Sequence, residues 1–445
     1  MQRSCSRVLC SLAAALVLGG FARGTAPAQA HRAASPITLT IWWWGEQEAR
    51  GAQGWMNETI RLYEKAHPNI RIKAVLQTTN GLYPAFEAAA RAHRGPDIQY
   101  LWGGINTLSE AWPGYVVPMS DYIPASELKH YHNRQEDTYL GKVWSAPWYT
   151  QPSFPLLYNK DLFKKAGLDP NRPPQTWSQF MAACAALKKI GVTPIAGGLQ
   201  DGWYGGWLFA LLGGQNLNSA RDIMDAAVGK ADITAPKYSE WWRRLAEMRD
   251  KGYWNKDIDS EQLYQAQALW VRGKVGMTNT AGSDIRKFVM ALGVSKAGVM
   301  RMPVYGDGKL AHTFGSTSQT LAISSFSPHK TEAAQLIMFM HTRERMVAFY
   351  RETGSIPADD RFPQNLITLP QQKTLWGWMI HQGGPYLENF IPLQLDGDGN
   401  FAGAQKLFAG DSVNSVIALQ AKVLEKWRRS SPGELVAFQH WATSY

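Results

Sequence analysis

At 445 residues, with 45% hydrophobic and 18% charged residues, the chain is too apolar to be disordered and too long for one ordinary core. Its net charge of +10 would suit nucleic acid or an anionic surface, yet basic residues cluster only in pairs such as Arg243-Arg244 and Arg428-Arg429. Those pairs lie on helical patterns and read as solvated faces, so no nucleic-acid partner is expected. Nineteen tryptophans are more than a core needs and point to a surface where apolar rings meet a polar partner.

The chain opens with Arg3 and Arg7, an apolar run from Val8 to Gly20, and Ala28-Gln29-Ala30 at a cleavage-type site. This pattern predicts a secretory signal peptide over 1–30 and a soluble mature protein in the periplasm. Cys10 precedes the apolar run, which argues against a lipid anchor, and Cys184 is left as the one mature cysteine.

Ile37 to Trp44 alternates as a strand, Gly54 to His67 has helical spacing ended by Pro68, and Ile70 to Leu76 is a second strand. Tyr83 to Arg94 predicts a helix and Asp97 to Trp102 a third strand, so a parallel sheet with right-handed crossovers is expected. The stretch Gly141 to Lys160 then carries Pro147, Pro152 and Pro155 among two extended segments, Val143–Tyr149 and Phe154–Asn159. Its prolines exclude a helix and suit a stiff crossing between two α/β blocks. Beyond it, Thr176 and Gln179 form a capping box, and the helix that follows makes Cys184 a buried small hydrophobe. Tyr238 to Asp250 and Glu261 to Val271 predict helices, the first with Trp241 and Trp242 as packing residues. Lys274 to Asn279 and Gln319 to Ser324 predict strands, Thr331 to Met340 a helix, and the chain from Gln371 on is mostly helical.

Ligands of open α/β sheets bind beyond the carboxyl ends of the strands. Those tips hold Trp43, Trp44 and Glu46; Trp102 and Asn106; Trp148 and Gln151; Asp201, Trp203 and Tyr204; and Asp284. Each tip pairs aromatics or glycine with a hydrogen-bonding side chain. That suits a sugar, whose C–H face lies on a ring while carboxylates and amides hold its hydroxyls.

The stretches ITLTIWWWG, RGPDIQYLW, GKVWSAPW followed by LLYNKDLFKKAGLDP, PPQTWSQF and RGKVGMTNTAGSDI carry a resemblance over most of the chain. Together they resemble the extracellular solute-binding proteins of carbohydrate ABC importers, the class that includes the maltose-binding protein. The resemblance implies a two-lobed, type II-like periplasmic-binding fold, each lobe a mainly parallel sheet flanked by helices, with the ligand cleft between. The first lobe is expected over 31–147 with 275–350 and the second over 148–274 with 351–445. Crossings are expected at Trp148–Gln151, near Met302–Gly315 and near Gly354–Pro357. By position, the resemblance assigns Glu46 as the acid after the first strand, Gln151 as the hinge polar residue, and Asp201, Trp203 and Tyr204 as an acid-plus-aromatic set. Ser283-Asp284 stands where the family has a tryptophan, and a late aromatic contact is implied at Trp376 or Trp378. The expected function is capture of a mono- or oligosaccharide and its delivery, as a monomer, to an ABC import permease, with no cofactor.

Two other readings compete. A glycoside hydrolase needs two carboxylates about 5 to 10 Å apart, and Glu46, Asp201 and Asp284 stand in no local catalytic motif. A polyamine or other non-sugar ligand would want more acids at the tips than these three. No metal is expected: Asp396-Gly397-Asp398-Gly399-Asn400 starts like a calcium loop, but Phe401 and Leu407 occupy its glycine and glutamate positions, and a Gly/Asp turn is the simpler reading.

Overall fold

The computed structural model describes residues 36–445; the expected signal peptide lies outside the described residues. Ile37–Trp43 buries Leu39, Ile41 and Trp43 on one face, as its alternation requires, and runs parallel to Ile70–Leu76 and Ile98–Trp102. The intervening helices, Ala52–Ala66 and Leu82–Arg91, give the two parallel crossovers expected. A long strand, Phe314–Ser324, then joins antiparallel to Ile98–Trp102, with Gly383–Pro385 parallel to its start on the same edge, and pairs on its other edge with Ala146–Pro152 and Val116–Val117.

A second sheet has four strands in the order Ala297–Met300, Leu156–Asn159, Val275–Asn279, Thr193–Ala196. The proline-rich stretch is therefore a crossing: Ala146–Pro152 belongs to the first sheet and Leu156–Asn159 to the second. Residues 301–313 lead back, from Ala297–Met300 to Phe314–Ser324.

Two features differ from expectation. Val275–Asn279 and Ala297–Met300 lie in the second sheet, whereas residues 275–350 are expected with the first lobe. The reason is strand pairing: Met277 lies opposite both Ile195 and Tyr158. Both sheets are also mixed: Leu156–Asn159 runs against both its neighbours, and Phe314–Ser324 runs against all of its neighbours except Gly383–Pro385.

Local signals hold the elements in place. Asn159 caps Lys160–Lys165 by accepting from the N–H groups of Asp161 and Leu162. Thr176 and Gln179 complete the capping box at the start of Trp177–Lys189, and Cys184 of that helix is fully buried. Trp241 and Trp242 stack at 3.8 Å inside the core.

The C-terminal part is less regular and returns to the first sheet. Gly104 at the tip of Ile98–Trp102 has φ +64°, and a Cβ there would lie 2.6 Å from Asn389 Cβ and 2.7 Å from its carbonyl oxygen. Only glycine fits both that backbone and that contact. Gly206, inside Tyr204–Leu212, meets Phe401 and Glu388 in the same way, at 2.7 and 2.8 Å. These two contacts hold residues 387–401 against the tip of Ile98–Trp102 and against the Tyr204–Leu212 helix. We expect Gly104→Ala to destabilise the protein by about 1–3 kcal/mol in urea unfolding. Unchanged stability would show that the 387–390 segment is free to move away.

Candidate functional site

A cavity of about 280 Å³ lies where both sheets and the C-terminal segment meet. The first sheet supplies Trp44 after Ile37–Trp43, Thr79 and Asn80 after Ile70–Leu76, and Trp102 and Asn106 after Ile98–Trp102. These are the carboxyl ends of three parallel strands, as the strand-tip rule requires. Gln151, Thr317 and Gln319 reach in from the paired strands Ala146–Pro152 and Phe314–Ser324. The second side contributes Trp203, Trp207 and Tyr264. The floor comes from 386–401, with Tyr386, Glu388, Asn389, Asp396 and Phe401.

The aromatic walls are braced from behind. Trp44 and Trp102 meet edge to face at 5.6 Å, Tyr83 stacks on Trp102 at 5.3 Å, and Trp44 Nε1 donates to Thr79 Oγ1 at 2.9 Å. Opposite, Trp203 lies 5.2 Å from Trp207 and 5.6 Å from Tyr264, while Trp207 stacks on Phe154 at 3.7 Å. Trp102 and Trp203 remain partly exposed, so ring faces are open to a ligand.

The polar groups are fixed as well. Gln319 donates to Gln151 and accepts from the Tyr100 hydroxyl. Asn389 Nδ2 donates to Thr317 Oγ1 at 2.6 Å and to Glu136 Oε2 at 2.9 Å, joining the floor to the first sheet. Asp396 sits in a π-helical turn, Leu395–Phe401, at the end of a buried chain. Trp242 Nε1 donates to Gln420, Gln420 to Asn400, and Asn400 to Asp396 Oδ1.

Burial raises the carboxyl groups here. Glu48 is pushed up to about 8 by burial, with Asp284 and Glu388 adding to the effect and Lys287 opposing it. Burial raises Glu388, with hydrogen bonds to Tyr386 and Asp396 opposing the rise, and burial raises Asp396, with the Glu388 charge adding to it. Glu136 and Asp137 behind the floor are likewise raised by burial, to about 8 and about 7.

Of the expected site residues, Trp44, Trp102, Asn106, Gln151 and Trp203 line this cavity together; the others do not. Trp43 and Trp148 are core residues, 6.3 Å apart edge to face, and Trp148 falls at a bulge that leaves it without a strand partner. Glu46 caps Ala52–Ala66, accepting from Gly51 N and Gln53 N. Tyr204 is buried and donates to Asn279 at 2.7 Å, and Asp284 is buried against Lys287 at 2.7 Å. Asp201 is exposed and accepts from Gln262 at 3.4 Å. Trp376 donates to Gln364 and packs near His132, 6.0 Å between ring centres.

Glu48, Thr79, Asn80, Trp207 and Tyr264 lie outside the sequence-based expectation. Thr79 and Asn80 could have been found, since they follow a strand as Trp44 and Trp102 do. Trp207 lies one helical turn beyond Trp203 and faces the same way. The floor carries no strand-tip signal at all. Among the described residues, no group of three or more His, Cys, Asp or Glu is arranged to hold a metal ion, and no helix is long and apolar enough to cross a membrane.

A family model for bacterial extracellular solute-binding proteins matches residues 44–345. The sn-glycerol-3-phosphate-binding periplasmic protein UgpB of Brucella abortus is 24% identical over 342 residues, covering 72% of this chain and 74% of that protein. UgpB of Escherichia coli K12 is 29% identical over 50% of each chain. Among solved structures, a chitin oligosaccharide binding protein superposes with TM-score 0.77 at 20% identity, covering 88% of this chain and 98% of that one. The solute-binding protein RafE in complex with raffinose superposes with TM-score 0.71 at 19% identity, covering 87% and 99%. The fold is thus the two-lobed one of these binding proteins.

The buried carboxyls set a pH dependence. Glu48 and Glu136, raised to about 8, and Asp137, raised to about 7, hold protons in the folded state that the unfolded chain releases near pH 4–5. The folded state binds more protons across that window, so stability falls as pH rises from about 5 to 8. For the unliganded protein we expect a loss of about 1 kcal/mol or more between those limits, read by urea unfolding. A rise in stability over the same range would mean that these groups are ionised and solvated.

Proposed function

Because the chain belongs to the bacterial extracellular solute-binding proteins, we propose that it captures a mono- or oligosaccharide between its lobes and delivers it to the membrane permease of an ABC importer. The observation that carries this reading is the cavity itself. Opposed aromatic faces, Trp44 and Trp102 on one side and Trp203 and Trp207 on the other, flank amides and carboxyls held in fixed positions. The ligands of the similar structures, chitin oligosaccharide and raffinose, support a saccharide.

In this reading Trp102 and Trp203 stack on sugar faces while Asn106, Gln151 and Asn389 hold hydroxyls. Asn80, Glu48, Glu388 and Asp396 complete the polar set. The ligand contacts both lobes only when they are closed, and that difference in affinity shifts the population toward closure. The lobes would divide at the crossings, with Val275–Asn279 and Ala297–Met300 in the second lobe. The receptor works as a monomer in the periplasm, exported by the leader expected over 1–30, and performs no catalysis.

A tryptophan-fluorescence and calorimetric screen of mono-, di- and oligosaccharides tests the reading. A saturable response to one saccharide class, with the sugar recovered unchanged after long incubation, is the expected outcome. A cleaved product would make the protein an enzyme. Trp203→Ala and Trp102→Ala should each weaken saccharide binding by about 1–3 kcal/mol. Unchanged affinity in both variants would remove the stacking role.

A further inference from the structure

The overall charge of the protein and the charge of its cavity point in opposite directions. The chain is basic, at +10, yet no lysine, arginine or histidine side chain lines the cavity. Three carboxyl groups do: Glu48 from the segment after the first strand, and Glu388 and Asp396 from the floor. Glu48 is only 5% exposed, and its Oε2 has no hydrogen-bond partner among the described residues although the side chain lines the cavity. An unpaired buried carboxyl oxygen is costly unless something else satisfies it. Aromatic rings surround the same space, and their faces attract cations as well as sugar C–H groups.

An anionic ligand does not fit this site. The phosphate ester named for the UgpB relatives would meet three carboxyls and no cationic side chain. A neutral sugar can offer the carboxyls hydrogen bonds but no charge to compensate three of them in one cavity. We propose that the ligand is a saccharide bearing a protonated amine, read by Glu48, Glu388 and Asp396 within the aromatic walls. The inference rests on the saccharide-receptor reading and narrows it to an amino sugar or amino-sugar oligomer.

The surroundings of the three carboxyls leave room for that charge. Lys287 is the cation near Glu48, but its Nζ is held by Asp284 at 2.7 Å. Glu48 otherwise faces Glu388 and the hydroxyl of Tyr264, with Tyr149 beside it. Glu388 accepts from the Tyr386 hydroxyl, and Asp396 accepts from Asn400. None of these neighbours brings a free positive charge into the cavity. An ammonium group would supply one, and its charge-assisted hydrogen bonds would favour the ionised carboxylates. Binding should therefore release protons to solvent, whereas a neutral sugar would leave the carboxyls protonated.

The test is calorimetry on the purified protein at pH 7 with glucosamine oligomers, their N-acetylated counterparts, neutral glucose oligomers and sn-glycerol 3-phosphate. Each titration is repeated in two buffers of different ionisation enthalpy. We expect the free amine to bind about ten-fold or more tightly than its N-acetylated twin, with net proton release. Glu48→Gln and Asp396→Asn should each cut that ratio, with normal melting as the check on folding. Equal or weaker binding of the amine, or tightest binding of the phosphate ester, overturns the inference and leaves the receptor reading standing. A response to spermidine with none to any saccharide overturns both. Should a variant fail to fold, the wild-type ratio and proton count decide.

Discussion

The site depends on one strand register. Ala146–Pro152 pairs antiparallel with Phe314–Ser324 so that Gln151 lies opposite Thr317, and Gln319 opposite Tyr149. A slip of one residue would turn Gln151, Thr317 and Gln319 away from the cavity and bring their neighbours round in their place. The bulge at Gln319/Thr320 absorbs the extra residue, which is Trp148, and that ring packs against Trp55 and Phe349 in the core. The same strand pair is the route between sheets. The register that turns Gln151, Thr317 and Gln319 into the cavity thus also fixes where the chain crosses from one sheet to the other.

Around that register the protein keeps unlike materials side by side. The sheets are held by apolar packing, with Trp43, Trp55 and Trp148 buried near the first. The cavity instead holds carboxyls and amides, several of them placed by a bond to something behind them. Thr317 and Glu136 hold Asn389, and Asn400 and Gln420 stand behind Asp396. Burying such groups is unfavourable unless they are paired, and these supporting bonds offset part of that cost.

Much of this was legible in the residues, and the exceptions have physical causes. The three parallel strands, the capping box at Thr176 and the proline-stiffened crossing are local patterns, and all stand where the sequence puts them. Trp44, Trp102, Asn106, Gln151 and Trp203 were legible because strand tips open outward. Glu46 was misleading because a carboxylate after a strand serves equally well as a helix cap, and its partners Gly51 and Gln53 are only five and seven residues away. Glu48, two residues on, is the one that reaches the cavity. Trp148 was illegible because a bulge reverses which face a residue takes, and no local signal marks it. The sheet membership of Val275–Asn279 depends on pairing with residues more than seventy positions earlier. The 386–401 floor likewise acquires its place only through distant contacts at Gly104 and Gly206.

The floor has a consequence for how this receptor can diversify. The family model ends at residue 345, yet Glu388, Asn389 and Asp396 come from beyond it. The sheets, crossings and aromatic walls form a chassis, and the C-terminal segment packs into it through Leu387, Phe390, Ile391 and Leu395. Within this segment Glu388 and Asp396 can change with the cargo, whereas Asn389, tied to Thr317 and Glu136, and the apolar residues Leu387, Phe390 and Leu395 are fixed by the fold. Two receptors built on this scaffold could thus differ in diet through a pair of carboxyls on one short segment.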